Sequence, residues 1–335
     1  MKLEFRIPIL PNPGFCAQVR LFALSLRELG SHYATAKIFV SLSGEADAEA
    51  VAAENSWSRN LPVVWSAVPV ELERADPYLA AGHWRYIAPC DADVVVMSDA
   101  DTCVVRPFDD LLRKLDQRQP LAAGLQAHVN PFLGAPNEAG WQAVLASAGL
   151  PDVPLTERYS LDIEDTYGLA PPYFNYGFVA FNRTAFARVA PAMADYLARS
   201  RTAVLDNPFV AQFGLALALA GEGVPSLSLE HEFNCANDDL IVAHGLADLS
   251  NIRVIHYLRE RELSRQLFLS DLASFDSFIA TPKANAVTEQ LRQHMLAIPG
   301  LRRDWQTDWI DAPSRQSRTG ILRDFLGHIA RRLRA

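Results

Sequence analysis

The tripeptide Asp-Ala-Asp occurs twice in a short stretch, as Asp91-Ala92-Asp93 and as Asp99-Ala100-Asp101, on either side of the apolar run Val94–Met97. Residues two apart in an extended chain point to the same side, so either pair of carboxylates can converge on one cation. Hard divalent cations prefer such oxygen ligands and keep coordination positions open for substrate phosphates. A lone Asp-x-Asp is common by chance, so the motif alone does not choose between the copies.

The direction of the intervening strand favours the second copy. Val94–Met97 has no polar alternation, which is typical of a central parallel strand that is buried on both faces. Ligands of open α/β sheets bind outside the carboxyl ends of the strands. Asp99 and Asp101 follow this strand, whereas the first copy precedes it, so we predict a metal at the second copy. The alternative is a polar turn over residues 98–102 with solvated aspartates.

The start of the chain predicts a parallel sheet. Apolar residues alternate over residues 3–10, and a Pro/Gly-rich break follows at 11–14. Residues 17–29 then have helical spacing, and residues 36–42 form a second apolar run. Strand, helix and strand in this order form a βαβ unit, which implies parallel strands covered by helices.

Later segments continue this alternation. Further strands are predicted at 61–68, 121–126, 178–181 and 251–257, and helices at 77–87, 108–115, 138–150, 185–198, 208–219 and 284–297. Asp76 is expected to cap the first of these helices, with Pro77 at its first position. Residues 151–172 are acidic and aromatic without periodicity and predict a long functional loop. The predicted fold is α/β, with a single mixed, mostly parallel sheet flanked by helices.

Composition argues against several classes of protein. The net charge of −8 argues against a nucleic-acid partner, and no apolar run reaches the roughly 20 residues needed to cross a bilayer. Charged residues lie where the apolar core of a signal peptide would be, and the four cysteines lack metal-binding spacing. We therefore expect reduced cysteines and a cytoplasmic location.

Residues 301–335 are predicted to form a tail that follows a single domain over residues 1–300. From residue 315 onward the tail has six arginines and one aspartate. Its apolar residues fall on one helical face: Ile321, Leu322, Phe325, Leu326, Ile329, Ala330 and Leu333. Such a basic amphipathic helix either lies on an anionic membrane surface, here the inner face of the membrane, or packs on the domain.

Three segments together resemble the GT-A glycosyltransferases, most closely glycosyltransferase family 8 and its bacterial relatives. In that family an apolar strand ends in Asp-x-Asp-(Thr/Cys), and a hydrophobic-Pro-Leu/Phe step leads into a helix. Here Ser98-Asp99-Ala100-Asp101-Thr102 precedes Val105-Arg106-Pro107-Phe108. The segments Tyr173-Phe174-Asn175-Tyr176-Gly177-Phe178 and Val254-Ile255-His256-Tyr257 are similar to two later family motifs. The resemblance spans roughly residues 3–260.

The resemblance implies a GT-A fold and transfer of a sugar from a UDP-sugar to a glycan, lipid-linked or protein acceptor, with retention of configuration. It implies Mn²⁺, or Mg²⁺, on Asp99, Asp101 and His256. The positions implied for binding the nucleotide sugar are Pro11, Asn12, Arg85, Asp99, Ala100, Asn175, Gly177 and Arg259. The positions expected in catalysis are Asp99, Asp101, Asn175 and Asp238.

Some alternatives to these site residues and to this activity stay open. The family's Gly-x-x-Lys after the histidine is absent, so the charge could come from Arg259, Arg261 or Arg265. An inverting enzyme would need one carboxylate base, for which Asp165 and Asp238 are available. A sugar-1-phosphate nucleotidyltransferase is disfavoured, because the loop over residues 11–16 has one glycine and no basic residue. A catalytically inactive nucleotide- or glycan-binding relative remains the main rival.

Overall fold

The computed structural model describes residues 1–132, 136–204, 207–299 and 301. The strands are β1 (Leu3–Ile9), β2 (Lys37–Leu42), β3 (Val63–Ala67), β4 (Val94–Met97), β5 (Thr102–Val104), β6 (Ala122–Gln126), β7 (Glu157–Arg158), β8 (Leu169–Ala170), β9 (Phe174–Asn182), β10 (Ser226–Ser228), β11 (Cys235–Ala236) and β12 (Val254–His256). The α-helices are α1 (Pro13–Leu29), α2 (Ser31–Ala34), α3 (Ala48–Glu54), α4 (Val70–Ala75), α5 (Ala80–Ile87), α6 (Asp109–Leu115), α7 (Asn137–Ser147), α8 (Arg183–Ala203), α9 (Val210–Gly221), α10 (Asp239–Ala243), α11 (Leu272–Ala280) and α12 (Ala286–Ala297).

The main sheet confirms the predicted fold class. Its strand order is β10-β6-β9-β4-β1-β2-β3. Every neighbouring pair is parallel except those made by β9, which lies antiparallel between β4 and β6. The chain runs outward through β1, β2 and β3 and returns to β4 on the other side of β1. Ligands of such sheets bind where the strand order reverses, which places the crevice at the carboxyl ends of β1 and β4.

Burial on both faces explains the unbroken apolar run of β4. Val94 and Val96 pack in the cluster that contains residues of α1 and α6. Val95 and Met97 point to the opposite face and pack with residues of α5, α7, α8 and α9. All four side chains are at most 1% exposed. Packing on both faces therefore fixes the position of β4, and with it the start of the turn that follows.

A smaller sheet joins the end of the domain to the strand-turn region after β4. β12 pairs antiparallel with β5, so that His256 lies opposite Thr102, and parallel with β11. This arrangement brings the last strand beside the second Asp-Ala-Asp copy. The three-residue strand β5 was not predicted, because its segment is too short to show a period.

Several of the helix and strand boundaries predicted from the sequence are wrong. Helix α5 begins at Ala80 and not at Pro77, because the Asp76 carboxylate accepts hydrogen bonds from the backbone N of Tyr78 and Leu79 and forms a turn first. Strand β9 begins at Phe174 and not at residue 178, so the Asn-Tyr-Gly segment lies within a strand. The loop over residues 151–172 contains the short pair β7 and β8.

The tail predicted over residues 301–335 lies outside the described residues, apart from Leu301. Within the described part of the chain, no helix is long and apolar enough to cross a membrane. The cysteines form no disulfide; Cys16, Cys103 and Cys235 are buried and Cys90 is partly buried.

Candidate metal and donor site

Hydrogen bonds fix the turn that follows β4. The Ser98 hydroxyl donates to the carbonyl of Gly177 on β9 at 2.9 Å and lies 2.9 Å from the Thr102 hydroxyl. The Thr102 hydroxyl in turn donates to the carbonyl of Asp99 at 2.8 Å. The backbone N of Tyr257 donates to the carbonyl of Asp101 at 3.0 Å, which ties the turn to β12. The two aspartates therefore stand on backbone that is held from both sides.

Asp99, Asp101 and His256 converge at this turn. Nε2 of His256 lies 3.2 Å from Oδ1 of Asp101 and 4.0 Å from Oδ2 of Asp99. One ligand atom from each residue lies within 4.8 Å of the other two. Neighbouring ligands of an octahedral cation with bonds of about 2.1 Å are about 3 Å apart, so small side-chain shifts would close this set on one ion. The Asp99 side chain is 37% exposed, which leaves the site open on that side.

A chain of amides sets the orientation of the His256 ring. The Asn234 amide nitrogen donates to Oδ1 of Asn175 at 2.9 Å, so the Asn234 oxygen faces His256. That oxygen accepts from Nδ1 of His256 at 3.0 Å. Nδ1 is therefore protonated, and Nε2 is the ring nitrogen that faces the carboxylates. Metal-binding histidines are commonly oriented in this way by an acceptor on the other ring nitrogen.

The ionisable groups of the site shift one another's pKa values. Burial raises the pKa of Asp99, and the like charge of Asp101 raises it further. Burial would also raise the pKa of Asp101, but His256 and Arg265 outweigh it and lower that pKa. The pKa of His256 is raised, because the attraction of Asp101 and Asp99 exceeds the effect of burial. A divalent cation would stabilise both carboxylates and displace a proton from the imidazole, so these residues fit such an ion.

Of the three arginines that follow β12, Arg265 lies at the site. Its Nη1 donates to Oδ2 of Asp101 at 2.7 Å. Arg259, the residue expected from the sequence, instead pairs with Asp238 at 2.6 Å. Arg261 pairs with Asp239. The segment that carries Arg265 packs on the start of α1, since Gln18 donates to the Arg265 carbonyl at 2.7 Å.

Arg85 lies beneath the turn and is only 3% exposed. Its Nη1 donates to the Ser98 carbonyl at 3.4 Å, and its guanidinium carbon lies 4.2 Å from the centre of the Tyr176 ring. Its Nε is buried and has no hydrogen-bond partner among the described residues. The positive charge therefore lies under the Asp99 backbone and partly offsets the rise in the pKa of Asp99 that burial causes.

The Asn-x-Gly segment on β9 faces the same crevice. Oδ1 of Asn175 accepts from the backbone N of Gly177 and from Asn234, both at 2.9 Å. No described residue accepts from its Nδ2, which stays available as a donor. A Cβ on Gly177 would lie 2.3 Å from both the Asn234 oxygen and Nδ1 of His256. Glycine is therefore required here by the histidine support, and a side chain at Gly177 would disturb the metal ligand before it met any sugar.

The remaining predicted positions are placed as follows. Asn12 caps α1, its Oδ1 accepting from the backbone N of Phe15 at 2.9 Å, and Pro11 precedes it at the carboxyl end of β1. Ala100 is buried within the turn. Both oxygens of Asp238 are engaged, one by the backbone N of Leu240 at 3.0 Å and the other by Arg259. Asp165 lies in the 151–172 loop, where it pairs with Arg158 at 2.9 Å.

Sequence reasoning did not predict that Asn234 supports the histidine, and Arg265 was only one of three candidates. Asn234 falls in the polar segment before β11, and its composition gave no sign that it supports the histidine. Arg265 lies nine positions after His256, at no recognisable spacing. The pairing of β11 with β12 brings Asn234 to the site, and the packing on α1 brings Arg265 there.

Comparison with known protein families identifies the domain. Residues 14–223 match the model of the Rhodobacterales glycosyltransferase domain. The matched segment contains both aspartates and the Asn-x-Gly segment. The matched segment ends before β11, so Asn234, His256 and Arg265 lie outside it. No curated protein sequence is significantly similar to the chain.

Solved glycosyltransferases share the fold. The galactosyltransferase LgtC with donor and acceptor sugar analogues matches with a TM-score of 0.52 at 12% identity, over 91% of this chain and 100% of its own. An active-site mutant of LgtC gives 0.54 at 14% identity, over 91% of this chain and 100% of its own. GlyE of Streptococcus pneumoniae without ligand gives 0.52 at 13% identity, over 94% of this chain and 66% of its own. The chain belongs to the Rhodobacterales glycosyltransferase domain family and is a glycosyltransferase with the GT-A fold.

Proposed function

We propose that the chain transfers a sugar from a UDP-sugar to a hydroxyl of a glycan, lipid-linked or protein acceptor, with retention of configuration. Mn²⁺, or Mg²⁺, would be held by Asp99, Asp101 and His256. The observation that carries the proposal is the His256 ring, which Asn234 orients so that Nε2 faces the carboxylates of Asp99 and Asp101. When bound, the ion stabilises the negative charge that develops on the departing diphosphate.

The chain's own residues supply the remaining functions. Arg265 sits on Asp101 and adds positive charge where the diphosphate would lie. Asn175 can donate from Nδ2 to a sugar hydroxyl. Both oxygens of Asp238 are engaged, by Arg259 and by the start of α10, which argues against this carboxylate as the base of an inverting enzyme. The unpaired cysteines suit a reducing compartment, and we propose a cytoplasmic enzyme.

Ligand-dependent stability tests the proposal directly. Thermal unfolding is measured with UDP, GDP, CDP or dTDP, each with Mn²⁺ and each with EDTA. Mass action predicts that UDP with Mn²⁺ raises the Tm and that EDTA removes the rise. A shift by UDP that does not depend on metal would contradict the metal site.

Turnover separates an enzyme that uses UDP-sugars from an inactive relative that only binds them. Release of UDP from UDP-hexoses is measured in a coupled assay with Mn²⁺. We expect slow hydrolysis without an acceptor and faster release with one. Metal-dependent UDP binding without any release from the whole donor panel would favour the inactive relative.

A further inference from the structure

A cavity opens beside helix α11, and none of the three proposed metal ligands lines it. Its volume is about 400 Å³, within the range of small-molecule sites in proteins. One face of α11 forms one wall, and the segment over residues 262–268 and the connection between α11 and α12 form the rest. No residue of the main sheet contributes to this α11 cavity.

The wall of the α11 cavity combines carbon surface with hydroxyl groups. Leu267, Phe268 and Phe278 supply the carbon surface. Three serines also line the cavity, and their hydroxyls form no hydrogen bond with a described residue: Ser264, Ser274 and Ser277. A hydroxyl both donates and accepts, so it can pair with the hydroxyls of a sugar, while the C–H groups of the sugar pack on carbon surface. This composition fits a saccharide.

Lys283 adds one positive charge to the wall. Its Nζ lies 4.5 Å from the centre of the Phe278 ring, which is a cation–π contact. Burial lowers the pKa of Lys283, because the ammonium group is partly removed from water. No described carboxylate forms an ion pair with it, so the charge lacks a counter-ion within the described part of the chain.

The charged side chains that act on Lys283 are engaged with other groups. They are Glu262, Glu289 and Arg292. Both oxygens of Glu262 accept from backbone N–H groups just before α12, at 2.6 and 3.1 Å. Glu289 pairs with Arg292 at 2.6 Å. An anion in the cavity would therefore give Lys283 the partner that the described residues do not supply.

We propose that the α11 cavity binds a sugar that carries a carboxylate or phosphate group. Lys283 pairs with the anionic group as a point charge, and the three serines pair with the sugar hydroxyls. The segment over residues 262–268 also carries Arg265, which donates to Asp101 at 2.7 Å. On this glycosyltransferase the cavity therefore holds a charged unit of a glycan beside the segment that reaches the metal site. Binding there requires neither the cation nor the nucleotide sugar.

Ligand-observed NMR titration of the full chain, with EDTA and without nucleotide, tests this binding. The probes are glucuronate, glucose 6-phosphate, glucose and inorganic phosphate. We expect one charged sugar to bind about 10-fold more tightly than glucose, and the two charged sugars distinguish a carboxylate site from a phosphate site. No binding of either charged sugar up to about 10 mM would overturn the inference. Inorganic phosphate that binds as tightly as the better charged sugar would also overturn it.

Lys283→Gln removes the charge from the cavity. We expect its affinity for the charged sugar to fall about 10-fold, to the level of glucose, and Lys283→Arg to recover most of it. Lys114→Gln is the matched control, because it removes one exposed lysine charge from helix α6, and it should bind like the wild type. Equal losses in Lys283→Gln and Lys114→Gln would show that net charge attracts the anion, and would overturn the inference.

Ser277→Leu tests the location of the site. Ser277 is exposed on α11, and leucine favours a helix, so the variant should fold, as circular dichroism can check. The leucine side chain fills part of the cavity and should weaken binding of the charged sugar at least about 10-fold. Wild-type affinity in a folded Ser277→Leu variant would place the sugar elsewhere and overturn the inference.

Discussion

The two Asp-Ala-Asp copies have identical sequences and opposite surroundings. Asp91 and Asp93 lie at the amino end of β4 among exposed cations: Asp91 pairs with Lys2 at 2.6 Å and Asp93 with Arg183 at 2.8 Å. The second copy lies at the carboxyl end beside a buried histidine. The end of the strand on which a motif lies, and not the motif itself, decides whether it can form a site.

The difference arises from what the rest of the chain brings to each end. At the amino end, cations neutralise each carboxylate separately in water. At the carboxyl end, β12 brings His256 to both carboxylates of the copy at once. Because both carboxylates of the second copy lie in one partly buried site, they can bind a single cation together.

The largest effect is expected from loss of a metal ligand. Asp101→Asn and His256→Ala each remove one of the three proposed ligands and should abolish Mn²⁺-dependent UDP binding and sugar transfer. Calorimetric titration of Mn²⁺ in the presence of UDP measures this. If either variant kept wild-type Mn²⁺ affinity, the proposed ligand set would be wrong.

A smaller effect is expected when the orientation of the His256 ring is lost but the three proposed ligands remain. Asn234→Ala removes the acceptor of Nδ1 of His256 and the donor to Asn175. Loss of such supporting groups typically weakens metal binding 10- to 100-fold. The same Mn²⁺ titration, with circular dichroism to check folding, tests it. Asn234→Asp keeps an acceptor and should recover most of the affinity; no recovery would argue against the orienting role.

Arg265 should affect the nucleotide more than the metal. In Arg265→Gln, the charge beside Asp101 is lost, and we expect UDP affinity with Mn²⁺ to fall about 10-fold. Arg259→Gln is the control, because Arg259 is engaged by Asp238. Equal losses in both variants would show that general surface charge, and not the position of Arg265, attracts the diphosphate.

The smallest effect is expected from the first copy. Asp91→Asn and Asp93→Asn break exposed ion pairs, which contribute little to stability. Both variants should keep wild-type Mn²⁺ and UDP binding, with a change in Tm of less than about 2 °C. Loss of the metal response in either variant would contradict the assignment of the site to the carboxyl end of β4.

Much of the fold was predictable because its signals are local. Strand β4 was predicted to the residue, since four buried apolar residues between polar ones allow few alternatives. Helix α1 ends where predicted, at the glycine after Leu29. Strand β9 was predicted too short, because Asn175 and Gly177 are not typical strand residues. Their place in β9 depends on pairing with β4 and β6, which single-sequence periodicity does not reveal.

The convergence of the three proposed ligands was predictable from the sequence, whereas the residues that support them were not. Asp99, Asp101 and His256 fit a recognisable order of motifs. Asn234 and Arg265 depend on contacts between segments far apart in the chain. Asn234 bonds to Asn175 across 59 positions, and Arg265 bonds to Asp101 across 164. No local pattern predicts such contacts.

The small sheet of β11, β12 and β5 has a consequence for the order of assembly during synthesis. Asp99 and Asp101 leave the ribosome more than 150 residues before His256, which is their neighbour in the finished site. Domains tend to fold as units, with their amino-terminal parts made first. Asp99 and Asp101 therefore lack their histidine neighbour until β12 has been synthesised and pairs with β5. Tight binding of the ion, and with it of the donor, would then be the last property that the nascent enzyme acquires.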